Sequence, residues 1–239
     1  MKTAVLIFAL LFGFKAFGDT PYLTHVPIKH IYVPAGFHDH QDAEVIVSGY
    51  MPNLCHKSPK TEVVVEGGVI NIQAKALYYQ DSSYFCPQVL VPFVEVVNVG
   101  LLDKGLYQIV GNAGTPFEKR AHITIKEYSS DAIDDYVFAN VHHVEKTSSE
   151  REILLKGHNP SDCFELDRIE YSSNEVDTFN VYPIMRQVSD FCPKKKVPFE
   201  FSFVVPTEII RAQVLLHVKA MDGRSVNKLY RNFYEYISE

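Results

Sequence analysis

No tryptophan occurs in this sequence, so its large rings are all phenylalanine or tyrosine, 16 and 14 of them. Positive charge is in short supply: 23 Lys and Arg stand against 29 Asp and Glu, a formal charge of −6. A chain of that sign has no general attraction to phosphate backbones, which excludes nucleic acid as a partner class. Catalytic signatures are missing too. There is no G-x-S-x-G elbow, no H-E-x-x-H and no phosphate-cradling glycine loop. Nor does any stretch carry a helical stripe sustained over a dozen residues.

Long apolar runs are confined to the start, "MKTAVLIFALLFGFKAFGDTPY". Lys2 precedes the run from Ala4 to Phe14, and Ala16 and Gly18 supply the small residues of a cleavage site. Residues 1–18 are therefore expected to be a secretory signal peptide. The run is well short of the roughly 20 residues of a spanning helix, and no later segment reaches that length, so the chain is not expected to span a membrane. An extracytoplasmic location, periplasmic or secreted, follows.

What the sequence does hold is an internal repeat. "FCPQVLVPF" at 85–93 returns as "FCPKKKVPF" at 191–199, and "GYMPNLC" at 49–55 returns as "GHNPSDC" at 157–163. The lead-ins "IYVPAGF" from Ile31 and "DYVFANV" from Asp135 also look alike. Self-similarity at a period near 105 residues signals a duplicated domain, since solenoid repeats are shorter. The expected division is a first domain at 19–128, the acidic linker "SSDAIDD" at 129–135, and a second domain at 136–239.

Cysteine is scarce, at four, and falls two per repeat. Of the three possible pairings the duplication selects Cys55 with Cys86 and Cys163 with Cys192. Loops of this length stabilise by about 3–4 kcal/mol on the chain-entropy argument. The rival readings, a zinc site or a reactive thiol, lack C-x-x-C and finger-spaced histidines.

Period-2 alternation runs through both halves. In "VINIQAKAL", Ile70, Ile72, Ala74 and Ala76 share one face, and Gly67-Gly68 suits the hairpin turn after "TEVVVEGG". Ser172 to Asn174 replace those glycines in the second half. Around seven short strands in each unit predict an all-β chain of two tandem sandwiches, immunoglobulin-like or fibronectin-like, each with its own disulfide. Phe85 and Phe191 are expected to pack beside the disulfides, and Phe199, Phe201 and Phe203 to line a core. Glu95 stands where Phe201 does, which predicts a bulge beginning at "VEVV" or a functional carboxylate.

The leader, the tandem repeats, "GYMPNLC" and "FCPQVLVPF" together resemble exported bacterial proteins built of immunoglobulin-like or fibronectin-like modules, over about Pro21 to Glu239. That resemblance implies binding or adhesion and carries over no functional residue. The cysteines lie too close in sequence for an antibody-type domain, and such a domain's tryptophan is absent.

The expected function is accordingly non-catalytic binding of a protein or of an envelope or surface component. Gln88, Val89 and Leu90 form a loop tip where the other repeat has Lys194, Lys195 and Lys196. An apolar tip of this kind faces a partner, the second domain or its own core. Val89 and Leu90, with Tyr50 and Met51 of "YMPN", are the candidate partner-binding residues. The alternative is an exported metal-binding protein. His38, His40 and Asp42 of "FHDHQD" would share one side of an extended segment and offer two imidazoles and a carboxylate to Zn²⁺ or Cu²⁺, whereas "VHHVEK" in the other half breaks that spacing. A hydrolase with a site between the domains is a third reading.

Overall fold

The computed structural model describes residues 20–79, 85–128, 134, 136–147, 151–205 and 213–231. The segment expected to be a leader lies outside these residues, as does the expected linker apart from Asp134. Among the described residues every regular element is a strand, and no helix is long and apolar enough to cross a membrane.

The first half contributes β1 (Tyr22–His25), β2 (Ile28–Tyr32), β3 (Ala43–Met51), β4 (His56–Glu66), β5 (Val69–Tyr78), β6 (Val91–Gly100), β7 (Gly105–Gly111) and β8 (Lys119–Ile125). The second contributes β9 (Val141–Lys146), β10 (Glu152–Asn159), β11 (Phe164–Ser173), β12 (Thr178–Gln187), β13 (Val197–Val204), β14 (Gln213–Lys219) and β15 (Ser225–Arg231). A three-stranded sheet β2-β3-β6 faces a sheet carrying β4-β5-β7-β8, to which β1 adds on β5. The second half repeats this order as β9-β10-β13 and β11-β12-β14-β15. In each four-stranded run one pair is parallel, β5 with β7 and β12 with β14. The sheets of the immunoglobulin pattern are wholly antiparallel, so the strand order departs from that expectation.

Alternation places the cores as the sequence predicts. Ile70, Ile72, Ala74 and Ala76 are buried with Val45, Val47 and Phe93, while Ile153, Leu155, Phe179 and Val181 anchor a separate cluster in the second half. The β4–β5 turn uses Gly67 and Gly68 at positive φ, +56° and +79°. In the second half Ser172 and Ser173 stay in β11. The turn is instead Asn174 to Asp177, with Asn174 Oδ1 accepting from the backbone N–H groups of Val176, Asp177 and Thr178.

Gly49 and Gly157 give the repeated motifs their physical reason. Gly49 lies opposite Phe93 across β3–β6, and Gly157 opposite Phe199 across β10–β13. A Cβ on Gly49 would stand 2.2 Å from Pro27 O and 2.5 Å from Phe93 Cζ; on Gly157 it would stand 2.1 Å from Asn140 O and 2.7 Å from Phe199 Cζ. Pro27 O and Asn140 O approach this closely because the neighbouring ladder slips at the glycine in both halves. The first motif's glycine and the second motif's last phenylalanine are thus one contact, and the disulfides Cys55–Cys86 and Cys163–Cys192 close just beyond it.

Several expectations need correction. Phe85 and Phe191 do not pack by the disulfides: they are 84% and 79% exposed. The likeness of "IYVPAGF" to "DYVFANV" is out of register, because Ile28 and Val141 are the residues paired with the two glycines, making β2 the counterpart of β9. "VHHVEK" is that strand β9, not a loop matching "FHDHQD". Glu95 sits in an unbroken stretch of the β3–β6 register, opposite Val47, so no bulge excuses it. It points the same way as buried Phe93 and Val97 on an edge strand. An inward carboxylate there is a recognised guard against edge-to-edge pairing, and Pro92 on the same strand adds to it.

Gly49→Ala and Gly157→Ala are each expected to cost at least about 3 kcal/mol, the upper end of overpacking penalties. Gly67→Ala, strained in φ but with open space around it, should cost only about 1 kcal/mol. Urea denaturation of the three variants checks this, and equal midpoints for Gly49→Ala and Gly67→Ala would remove the explanation of the motif.

Candidate functional site

Two regions gather the side chains with the most to say about function. The first surrounds Cys55–Cys86. Leu54 N donates to Pro87 O and Tyr79 N donates to Cys55 O, which draws Leu54 and Tyr79 to the loop carrying Phe85, Val89 and Leu90. All five side chains are exposed, Val89 by 51% and Leu90 by 62%. Among the described residues neither the first half's own core nor the second half covers the tip. At the matching place in the second half Lys194, Lys195 and Lys196 are exposed, and Lys195 pairs with Asp162 at 2.8 Å. Of the other two candidates on this loop end, Tyr50 is half-buried. Met51 belongs to the first core at 8% exposure, so it presents no surface to a partner.

The second region is the junction of the halves. β3 and β14 are buried on both faces, which the sequence reading of half-buried strands does not anticipate. Val45 and Val47 face the first core and Val214, Leu216 and Val218 face the second; the alternate residues Glu44, Ile46, Leu215, His217 and Lys219 meet between the halves. Ile46 and Leu215 are wholly buried there against Tyr32 and Leu229. Polar groups complete the contact. His30 pairs with Asp177, Ala35 N donates to Asn180 Oδ1, and Asp134 accepts from Gln41 Nε2 at 3.0 Å and from Gly223 N at 3.1 Å.

His217 is fully buried, and its tautomer follows from its neighbours. Asn227 Nδ2 donates to Glu44 Oε1 at 2.7 Å, so Asn227 Oδ1 is left to accept from His217 Nδ1–H at 2.8 Å. Nε2 then carries a lone pair with no hydrogen-bond partner, and the Phe37 ring stands edge-on nearby. A proton on Nε2 would put an unsolvated charge there. Burial pushes the imidazole down to about 4, with Lys219 adding to the fall and Glu44 and Asn227 opposing it. Burial likewise lowers the Lys219 ammonium, against the pull of Asp134 and Glu44. Lys219 Nζ donates to Gln41 Oε1 at 3.2 Å and lies 4.8 Å from the centre of the Phe37 ring. Asp177 differs: burial alone would raise its carboxyl, but hydrogen bonds from His30, Asn174 and Thr178 hold it below the usual range.

His38, His40 and Asp42 do not form the extended array that their spacing suggests. The segment turns, with Gln41 N donating to His38 O, and His38 and His40 both flank the Tyr128 ring, at 5.0 and 5.8 Å. Among the described residues no group of three or more His, Cys, Asp or Glu side chains is placed to hold a metal ion.

The sequence model of a family described as the ORF11 beta-sandwich domain matches residues 45–120, from β3 into β8. The chain is thus a β-sandwich protein whose first half is similar to that domain. No curated protein and no solved structure matches it.

Stability should fall with acid through His217. The unfolded imidazole takes its proton near 6.5 and the folded one only near 4, so stability is whole above pH 6.5 and declines between 6.5 and 4, by on the order of 3 kcal/mol in all. His217→Gln cannot titrate and should flatten that part of the profile; an unchanged slope would assign it to other groups.

Proposed function

We propose that the chain is an exported, non-catalytic binding protein whose two tandem sandwich modules are held as one unit, with the first module's disulfide loop meeting a protein or surface component of the cell envelope. One observation carries this reading: Val89 and Leu90 remain open to solvent in the assembled molecule, where the second repeat places lysines. Exposed apolar side chains grouped at a rigid loop end are a common form of partner contact. The disulfide on one side and the β3–β6 ladder on the other fix the loop, so little order has to be gained on binding. Both disulfides suit an oxidising, extracytoplasmic compartment. The modules differ from the immunoglobulin pattern in their parallel pairs, and the proposal rests on the loop rather than on that likeness.

The test is affinity capture from envelope and surface extracts with the disulfide-intact chain, alongside Val89→Lys plus Leu90→Lys. Since both side chains are exposed, the double variant should unfold at the same urea concentration as the parent within about 0.5 kcal/mol. A single enriched component lost with the variant supports the reading, and a component retained equally by both clears this loop.

A further inference from the structure

The junction between the halves encloses a partly open cavity of about 260 Å³, beside buried Lys219. We propose that it is a binding site for a small organic anion, an aromatic or apolar body bearing one carboxylate. It is separate from the disulfide loop.

The walls supply both parts of that ligand. Phe138, Tyr136 and Tyr182 come from the second half and give aromatic surface. Lys219 and Lys126 supply cations, one from each half. Among the described residues no carboxylate pairs with the Lys126 ammonium, and the only acceptor bonded to Lys219 Nζ is the neutral Gln41 amide. The one acidic group of the wall, Glu170, is already held by Arg168 at 2.6 Å. Asp134 and Glu44, outside the wall, both pull on the Lys219 ammonium, and Asp134 also takes hydrogen bonds from Gln41 and Gly223. Of the charged side chains that line the space, Lys126 and Lys219 are cationic and the one acid, Glu170, is engaged by Arg168, which favours an anion. The volume is just below the usual range for drug-sized ligands, which sets the ligand at a single ring or its equivalent.

Both halves contribute, so the ligand would add contacts across the junction and raise the unfolding temperature by linkage.

The experiment titrates the disulfide-intact chain with benzoate, benzylamine, benzyl alcohol and inorganic phosphate, reading calorimetric heat and thermal unfolding. Saturable binding of benzoate, with benzylamine and benzyl alcohol at least about tenfold weaker, is the expected result. Lys126→Gln, an exposed change that leaves the core alone, should weaken benzoate by about three- to tenfold, and Lys126→Arg should restore it. Absence of saturable benzoate binding, equal binding of benzylamine, or indifference to Lys126→Gln would each overturn the assignment. Phosphate binding as tightly as benzoate would overturn the aromatic part of it.

Discussion

The hydrogen-bonded chain His217–Asn227–Glu44 is the contact on which the assembled molecule depends. Glu44 comes from one half, His217 and Asn227 from the other, and the imidazole is wholly buried. Leaving buried polar atoms unpaired is costly, and the cost of breaking such a set exceeds what forming it contributes. Separating the halves would strip the carboxylate of the Asn227 and Ser225 donors and expose Ile46 and Leu215 together. The junction therefore has one good geometry. Apolar packing supplies the attraction, and the amide between imidazole and carboxylate fixes how the faces meet.

That same requirement explains why two strands are buried on both sides. A sandwich of this size normally spends only one face of each strand on its core. In β3 and β14 the second face is spent on the neighbouring half, so both strands read as nearly continuous apolar runs interrupted by a few polar residues. Those interruptions, Glu44 in one and His217 and Lys219 in the other, are the junction itself.

Much of the architecture was legible in the residues. Alternation located most strands, the duplication paired the cysteines, and glycines marked the β4–β5 turn. The functional reading was less legible, for definite reasons. In β14 the polar His217 and Lys219 alternate with Leu216 and Val218, and alternation reports that a face is polar, not that the polar face is covered by another part of the chain. "FHDHQD" reads as a metal array only if extended, and the turn closed by His38 O removes that premise. Met51 sits next to half-exposed Tyr50, and its burial is simply the other phase of the same strand. The lead-in likeness failed because three or four matching letters in a short strand do not specify register, whereas the glycines, which only one register can accommodate, do.

Duplication also explains how the two copies could diverge at the loops without losing the fold. The glycine–phenylalanine contact and the disulfide close each loop at its base, and neither involves the three residues at the tip. In one copy the tip is Gln88-Val89-Leu90 and in the other Lys194-Lys195-Lys196, yet the ladders leading into them pair in the same way, Gly49 with Phe93 and Gly157 with Phe199. The core therefore places no constraint on the chemistry of the tip. The solvent-exposed apolar tip has no role in holding its own module together, since the staple and the glycine contact hold the loop without it. Among the described residues neither core packs against Val89 or Leu90, so the tip can be apolar in one copy and basic in the other without cost to either sandwich.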